Sequence, residues 1–484
     1  MRIAVFAVLT LLVCAPASAE QAKPKEVKIR GYVTEFRSPT DFDIEDYRIT
    51  RDEAFALDLE NASPEIKFAL DDIRVGIELE IKGELDESTG VLKAKSIRVD
   101  LEQFKSIKQT AFVSSPPEGI ELLDGSWAGE LRADGQIIRV TKNTKVLFRP
   151  TKRERKLAKL KAKEKAKEEE EAPEALASLE QVSIGMAMTY EGVRDRETGK
   201  IIAESVEFST NDLEDGEGKM WKSLKTSVKS AQGFKPGELK IDKVGKFKLL
   251  PNDEVQAYVT GLGQRLIPAY QAELPASDLG KIPFQFHVVL DDNANAFATP
   301  NGIIVVHSGL INLLENEAQL AAVLGHEIAH STHEHTWRRQ QFHKGKRMAI
   351  AIGGMFAAAY GLNSLADIAT LVNAAIVSGH SRSMENQSDR VGLQYMVSAG
   401  YDPREAPAVW KLMAKKHGVQ ATDFFWSSHE NQATRRSYLM NELKNNYRDL
   451  DYTRLNTNEK EFGAIKAKVA DASSKKKKIK VTSH

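Results

Sequence analysis

The sequence predicts an α+β protein. A β-rich N-terminal half, built from two OB-like or small-barrel repeats, precedes a mostly helical C-terminal domain with a small, edge-exposed sheet. Three observations predict this. Runs such as 27–33 (VKIRGYV) and 77–81 (IELEI) alternate apolar and polar residues, the period of a half-buried strand. All 11 histidines lie from His287 onward, so imidazole chemistry belongs to the second half. Within that half, Leu320, Val323, Leu324 and Ile328 form an apolar stripe at helical spacing, with Asn316 placed to cap the helix.

Length and composition set the frame. With 484 residues, 42% of them hydrophobic, the chain can build two or three domains with their own cores. Lys+Arg and Asp+Glu are both 68, so no global charge draws the chain to nucleic acid. Arg2, the apolar run 3–13 and Ala17-Ser18-Ala19 read as a cleavable export signal over residues 1–19. The apolar run is too short to span a bilayer. Cys14 is the single cysteine. A lipidated Cys14 would want a small residue before it, and Val13 stands there instead. Once the leader is removed, the mature chain holds no disulfide, thiolate metal site or cysteine nucleophile. An exported chain without cysteine points to a bacterial periplasm.

Residues 25–210 form the β-rich region. Residues 75–99 (VGIELEIKGELDESTGVLKAKSIRV) align without gaps to 184–208 (IGMAMTYEGVRDRETGKIIAESVEF). Gly76, Gly83, Gly90, Ala94 and Ser96 recur as Gly185, Gly192, Gly199, Ala203 and Ser205. Each copy reads strand, glycine, polar turn, strand, a hairpin pattern. The second copy carries a charged insertion at 152–172, read as a solvated or disordered excursion, with a partner-binding arm as the competing reading. Residues 211–240 are polar and lysine-rich and read as a linker with helix near 220–230. A histidine-bearing C-terminal domain is expected over 241–447. The tail, 448–484, contains Lys475-Lys476-Lys477-Lys478 and reads as disordered, with peripheral contact to anionic lipid left open.

The chemistry lies in His326-Glu327-Ile328-Ala329-His330. On a helix this spacing puts both imidazoles on one face, able to share a Zn²⁺, with Glu327 in reach of a water at the metal. A catalytic zinc needs a third protein ligand and an open position. Glu385 and Asp389, four residues apart on a second helix, supply the ligand and a carboxylate that orients a histidine ring. On their own, the two acids would read as a solvated helix face. His333, His335 and His343 read as exposed helix or loop residues, with a second metal site as the alternative. The apolar runs 348–362 and 368–377 are short for membrane spans and read as a buried or lid-like hairpin, with transient membrane contact through Gly353, Gly354 and Ala357 to Ala359 as the alternative.

These motifs resemble the gluzincin metallopeptidases of the HtpX, BepA and prenyl-endopeptidase type over residues 255–439. Asn295-Ala296-Phe297-Ala298-Thr299-Pro300-Asn301-Gly302 is similar to that family's NAFA-x-P-x-G segment, and HEIAH with its preceding helix to its zinc helix. Ser381-Arg382-x-x-Glu385-x-x-x-Asp389 is similar to its ligand helix, and Ala399-Gly400-Tyr401-Asp402-Pro403 to the turn that follows. Two residues depart from the pattern. Ser388 replaces the usual Ala, and His429-Glu430…Arg435 lacks the proline of a His-Pro…Arg motif.

The resemblance implies a zincin-like catalytic domain binding one zinc per chain through His326, His330 and Glu385. It implies Glu327 as general base, with Asp389, Arg382 and Arg435 in support. His429 would stabilise the oxyanion or occupy the zinc's open position at rest; a plain surface histidine is the competing reading. Asn295, Ala296, Phe297 and Ala298 would form a strand that pairs with extended protein or peptide substrates. The reading is an exported zinc endopeptidase acting on misfolded envelope proteins. The alternatives are a non-proteolytic chaperone or binding module that keeps the fold, and a β-domain scaffold that recruits partners.

Overall fold

The computed structural model describes residues 25–481 apart from 45–46, 63, 65, 124–125, 150–173, 176–181, 196–197, 210–214, 231–236, 339–380 and 418–431. The export signal, the charged insertion, the apolar runs 348–362 and 368–377, His343 and His429 all lie outside the described residues.

The first repeat is a closed five-stranded barrel. Its strands are β1 (Lys25–Ser38), β2 (Asp41–Ile44), β3 (Tyr47–Glu60), β4 (Glu78–Asp86) and β5 (Val91–Asp100), in the cyclic order β1-β2-β3-β5-β4. Alternation drives it. In β4, Leu79, Ile81 and Leu85 are buried, and Glu80, Lys82 and Glu84 face away from the core. The second repeat uses β6 (Ile107–Phe112), β7 (Glu118–Leu123), β8 (Ser126–Ala133), β9 (Gln136–Val140), β10 (Lys145–Arg149), β11 (Glu174–Ala175), β12 (Ala187–Arg194) and β13 (Ile201–Ser209). Here β6 pairs β12, β12 pairs β13, β13 runs parallel to β9 and β10, and β9 pairs β8. A Val113–Ala133 bridge returns the path to the start. The order therefore repeats that of the first barrel, and its own core is centred on Tyr190, Val206 and Phe208.

The internal repeat is visible at single-residue level. The β4–β5 ladder shifts register between Lys82 and Gly83, and the β12–β13 ladder between Glu191 and Gly192. A Cβ on Gly83 would sit 2.2 Å from the Lys93 carbonyl, and one on Gly192 2.3 Å from the Ile202 carbonyl. Both glycines allow a backbone approach that no side chain permits.

The presumed linker is structured. Helix α1 (Asp215–Ser223) is followed by a three-stranded sheet of β14 (Thr226–Lys229), β15 (Glu238–Ile241) and β16 (Gly245–Lys248). Met220 and Leu224 pack against Trp337 of the C-terminal domain, apolar burial that a polar composition concealed. That domain contains α2 (Asp253–Leu266), a sheet of β17 (Gln285–Val289), β18 (Ala296–Ala298) and β19 (Ile303–His307), and α3 (Ser308–Leu313). Helices α4 (Glu317–Thr332), α5 (Arg382–Ser398), α6 (Glu405–His417), α7 (Gln432–Asn446) and α8 (Glu459–Val481) complete it. The tail expected to lack order thus forms α8, which buries Phe462, Ile465 and Val469 in the main core. Its lysine run disguises an apolar stripe at helical spacing.

Candidate metal centre

Helix α4 starts where its sequence says it should. Asn316 caps it, its side chain accepting a hydrogen bond from the Gln319 N–H at 2.9 Å. Glu317 in the first turn is held by Tyr258, Tyr401, Arg265 and Asn458. Helix α5 crosses α4 at Gly325 and Gly392. A Cβ on Gly392 would lie 3.0 Å from the His326 nitrogen, so the two backbones nearly touch. This approach brings one turn of α5 up to the histidine face of α4.

The result is a cluster of three donors. Ligand atoms of His326, His330 and Glu385 all lie within 4.8 Å of one another. His326 Nε2 is 3.4 Å from Glu385 Oε2, and His330 Nε2 is 3.6 Å from Glu385 Oε1. Both histidines therefore turn Nε2 to the common point. All three side chains are buried, Glu385 completely, and Glu327 is buried beside them at 2% exposure.

Each histidine's other nitrogen is engaged. His326 Nδ1 meets Asp389 Oδ1 at 3.0 Å. His330 Nδ1 meets His335 Nδ1 at 2.9 Å. Arg435 lies in the same cluster, with one terminal nitrogen 2.8 Å from Glu385 Oε2 and Nε donating to Asp389 Oδ2 at 2.8 Å. Its guanidinium stacks 3.9 Å over the Trp410 ring. Arg382 opens α5 in sequence, but its side chain lies outside the described residues.

The charges are strongly coupled. Burial and Arg435 both oppose a proton on His326, yet Asp389 and Glu385 outweigh them and push its pKa up to about 9. Burial would raise the Asp389 pKa, but Arg435 and His326 hold it below the usual carboxylate range. Arg435 stays charged because Asp389 and Glu385 outweigh its own burial.

Among the described residues, strand β18 pairs only β19 in the order β17-β19-β18, which leaves Ala296–Ala298 at the sheet edge. Ser331 on α4 donates to the Thr299 carbonyl at 3.0 Å and ties this segment to the metal helix. Asn295 is buried, and its carbonyl accepts from His307. His333 and His335 are not exposed as expected. They are 1% and 0% exposed: His333 meets Asp134 and Phe112 of the second barrel, and His335 packs among His330, Gln387 and Ser388. The spacing of these histidines does not reveal their burial, and nothing in the sequence marks Trp410 or Gln387.

The model of peptidase family M48 matches residues 253–443, the stretch that contributes every donor above. Residues 253–443 belong to peptidase family M48. The chain is 27% identical over 201 residues to the mitochondrial metalloendopeptidase OMA1 of Schizosaccharomyces pombe, covering 39% of this chain and 58% of that protein. It is 26% identical over 196 residues to the beta-barrel assembly-enhancing protease of Escherichia coli K12, covering 39% of each. It is 33% identical over 159 residues to OMA1 of Arabidopsis thaliana, covering 33% of this chain and 31% of that one. The chain thus spans less than two thirds of these relatives. The M48 domain carries the likeness; the two barrels lie outside the matched stretch.

Proposed function

We propose that this chain is an exported zinc-dependent endopeptidase that hydrolyses peptide bonds in extended or misfolded envelope proteins. One observation carries the reading. Two imidazole nitrogens and one carboxylate converge within 4.8 Å, with Glu327 buried on the same helix between the two histidines. Two histidines and a glutamate are a donor set of catalytic zinc, and each imidazole already has its remote nitrogen fixed, as metal-ligating histidines require. The residues therefore fit the ion.

Zinc held there supplies a Lewis acid and draws the pKa of a neighbouring water toward about 7. Glu327 takes the proton of the attacking water on its carboxylate and delivers it to the amine nitrogen as the carbonyl–nitrogen bond breaks. Asp389 and Arg435 hold His326 and Glu385 in register. The free edge of β18 supports the reading of an extended substrate bound through its backbone, a mode that reads little side-chain sequence. His429 is proposed, from the family resemblance alone, to meet the oxyanion or to guard the open position. The leader at residues 1–19 supports export to a periplasm-like compartment.

The test is casein degradation by purified protein, wild type against Glu327→Gln, with zinc content measured in both. About one zinc in each and cleavage by wild type alone supports the assignment. Equal cleavage by the two removes Glu327 from its role. Zinc in both with no cleavage by either favours a latent enzyme or a binding module.

A further inference from the structure

We infer that Asp134, on the second barrel, is a positioning residue for the metal centre of the catalytic domain. It acts on His330 through Gln387 and His335. The inference rests on the metal-centre reading given above and adds a residue from the other half of the chain.

Asp134 sits in the β8–β9 turn with φ 49°, a left-handed conformation that Asp tolerates better than most residues. Its side chain is 2% exposed and points into the catalytic domain rather than to solvent. Oδ1 accepts from the Phe112 N–H at 2.9 Å and lies 2.8 Å from His333 Nε2. Oδ2 accepts from Gln387 Nε2 at 2.7 Å. The Asp134 carbonyl accepts from Arg390 Nε at 2.9 Å. Gln387 and Arg390 flank Asp389 on α5, and His333 caps α4. One turn of the barrel therefore grips both helices that carry metal ligands.

The contacts form a directed relay. With Nε2 of His330 given to the metal, its Nδ1 carries the proton and donates to His335 Nδ1 at 2.9 Å. His335 must then be protonated on Nε2, which lies 3.1 Å from Gln387 Oε1. That fixes the Gln387 amide. Its NH₂ faces Asp134 Oδ2 at 2.7 Å and the Thr110 carbonyl at 2.8 Å, both acceptors. Every donor meets an acceptor, and the relay ends on a group that only accepts. Ser388, the departure from the family pattern, puts its hydroxyl 3.2 Å from the same His335 Nδ1. His335 and Gln387 line a cleft of about 540 Å³ between the barrels and α5.

An amide at position 134 cannot serve. If its NH₂ replaces Oδ1, it meets the Phe112 N–H, a donor. If it replaces Oδ2, it meets the Gln387 NH₂, and Gln387 must flip. The flipped amide presents NH₂ to His335 Nε2, drives the imidazole proton to Nδ1, and sets two donors face to face at His330. Asp134→Asn thus keeps the shape and either loses the Phe112 N–H bond that seats residue 134 or breaks the relay.

The experiment measures zinc affinity by chelator competition, and the visible spectrum of the Co²⁺-substituted protein, for full-length wild type, Asp134→Asn, Gln387→Ala and the double variant. Arg194→Ala serves as control, since Arg194 faces Glu442 across the same domain interface at 3.9 Å and touches no relay member. Zinc binding about 10- to 100-fold weaker in Asp134→Asn, with a changed Co²⁺ spectrum, is expected. The double variant should be no worse than the poorer single one, and Arg194→Ala should match wild type. A wild-type spectrum and affinity in folded Asp134→Asn overturns the inference, as do additive losses in the double variant. So does an equal loss in Arg194→Ala, which would mark general loosening. If Asp134→Asn fails to fold, Gln387→Ala decides alone: unchanged affinity and spectrum overturn the relay. A wild-type protein that binds no zinc overturns the metal-centre reading and this inference together.

Discussion

Replacing Gly392 with alanine tests whether the close crossing of α4 and α5 builds the metal centre. The added Cβ would lie 3.0 Å from the His326 nitrogen, 3.3 Å from the Gly325 carbonyl carbon and 3.4 Å from His326 Cα. Comfortable contact needs about 3.5–4.0 Å, so the helices must part by roughly half an ångström. Alanine favours a helix interior over glycine by about 1 kcal/mol, while overpacking a tight contact costs about 1–3 kcal/mol. The expected net is a loss of about 1 kcal/mol. The retreat also moves Glu385 from the histidines by about the tolerance of a working site, so zinc affinity should fall about tenfold or more. Urea unfolding midpoints and chelator competition read both effects. Gly463→Ala, at a helical position of α8 with nothing within 4 Å of the new Cβ, is the internal standard and should gain stability. If Gly392→Ala is as stable as Gly463→Ala and binds zinc like wild type, the crossing argument is wrong.

Three further outcomes are expected. Arg435→Met leaves Glu385 and Asp389 buried without their cation and should cost about 3–5 kcal/mol in denaturant unfolding; a loss under about 1 kcal/mol would deny Arg435 that role. Ending the chain at Asn458 removes the burial of Phe462, Ile465 and Val469, worth about 1.5–3 kcal/mol each. The truncated protein should unfold at low urea or fail to fold, whereas a disposable tail would leave the midpoint unchanged. Zinc must displace the proton that Asp389 and Glu385 hold on His326, whose pKa is about 9. Apparent zinc affinity should therefore rise about tenfold per pH unit up to about pH 9 and then level off; calorimetry in buffers of different ionisation enthalpy counts the released proton, and a flat profile contradicts the assignment.

Much of the centre was legible because its logic is local. The spacing of His326 and His330, the cap at Asn316 and the pairing of Glu385 with Asp389 each depend on helical geometry that a few residues dictate. The repeat was legible for the same reason: Gly83 and Gly192 mark the same bulge in two hairpins. What escaped depends on contacts between distant segments. His333 looks like a surface residue until the second barrel meets it, and His335 until it packs among His330, Gln387 and Ser388. Asp134 looks like an ordinary turn aspartate, and only docking gives it His333 and Gln387 as partners. The lysine run of α8 hid Phe462 and Val469, and the polar stretch before β15 hid a helix that shelters Trp337.

The clasp around Glu317 has a practical consequence. The backbone N–H groups of Glu317 and Ala318 donate to the Thr457 carbonyl, and Asn458 reaches the Glu317 carboxylate. The recognisable stretch, 253–443, stops short of these residues and begins after Asp134. A fragment cut to those limits would carry every metal donor and yet lack what braces both ends of the metal helix. Kinship by sequence and self-sufficiency as a folding unit part company here. Anyone transplanting this M48 domain into another protein must take the neighbours with it.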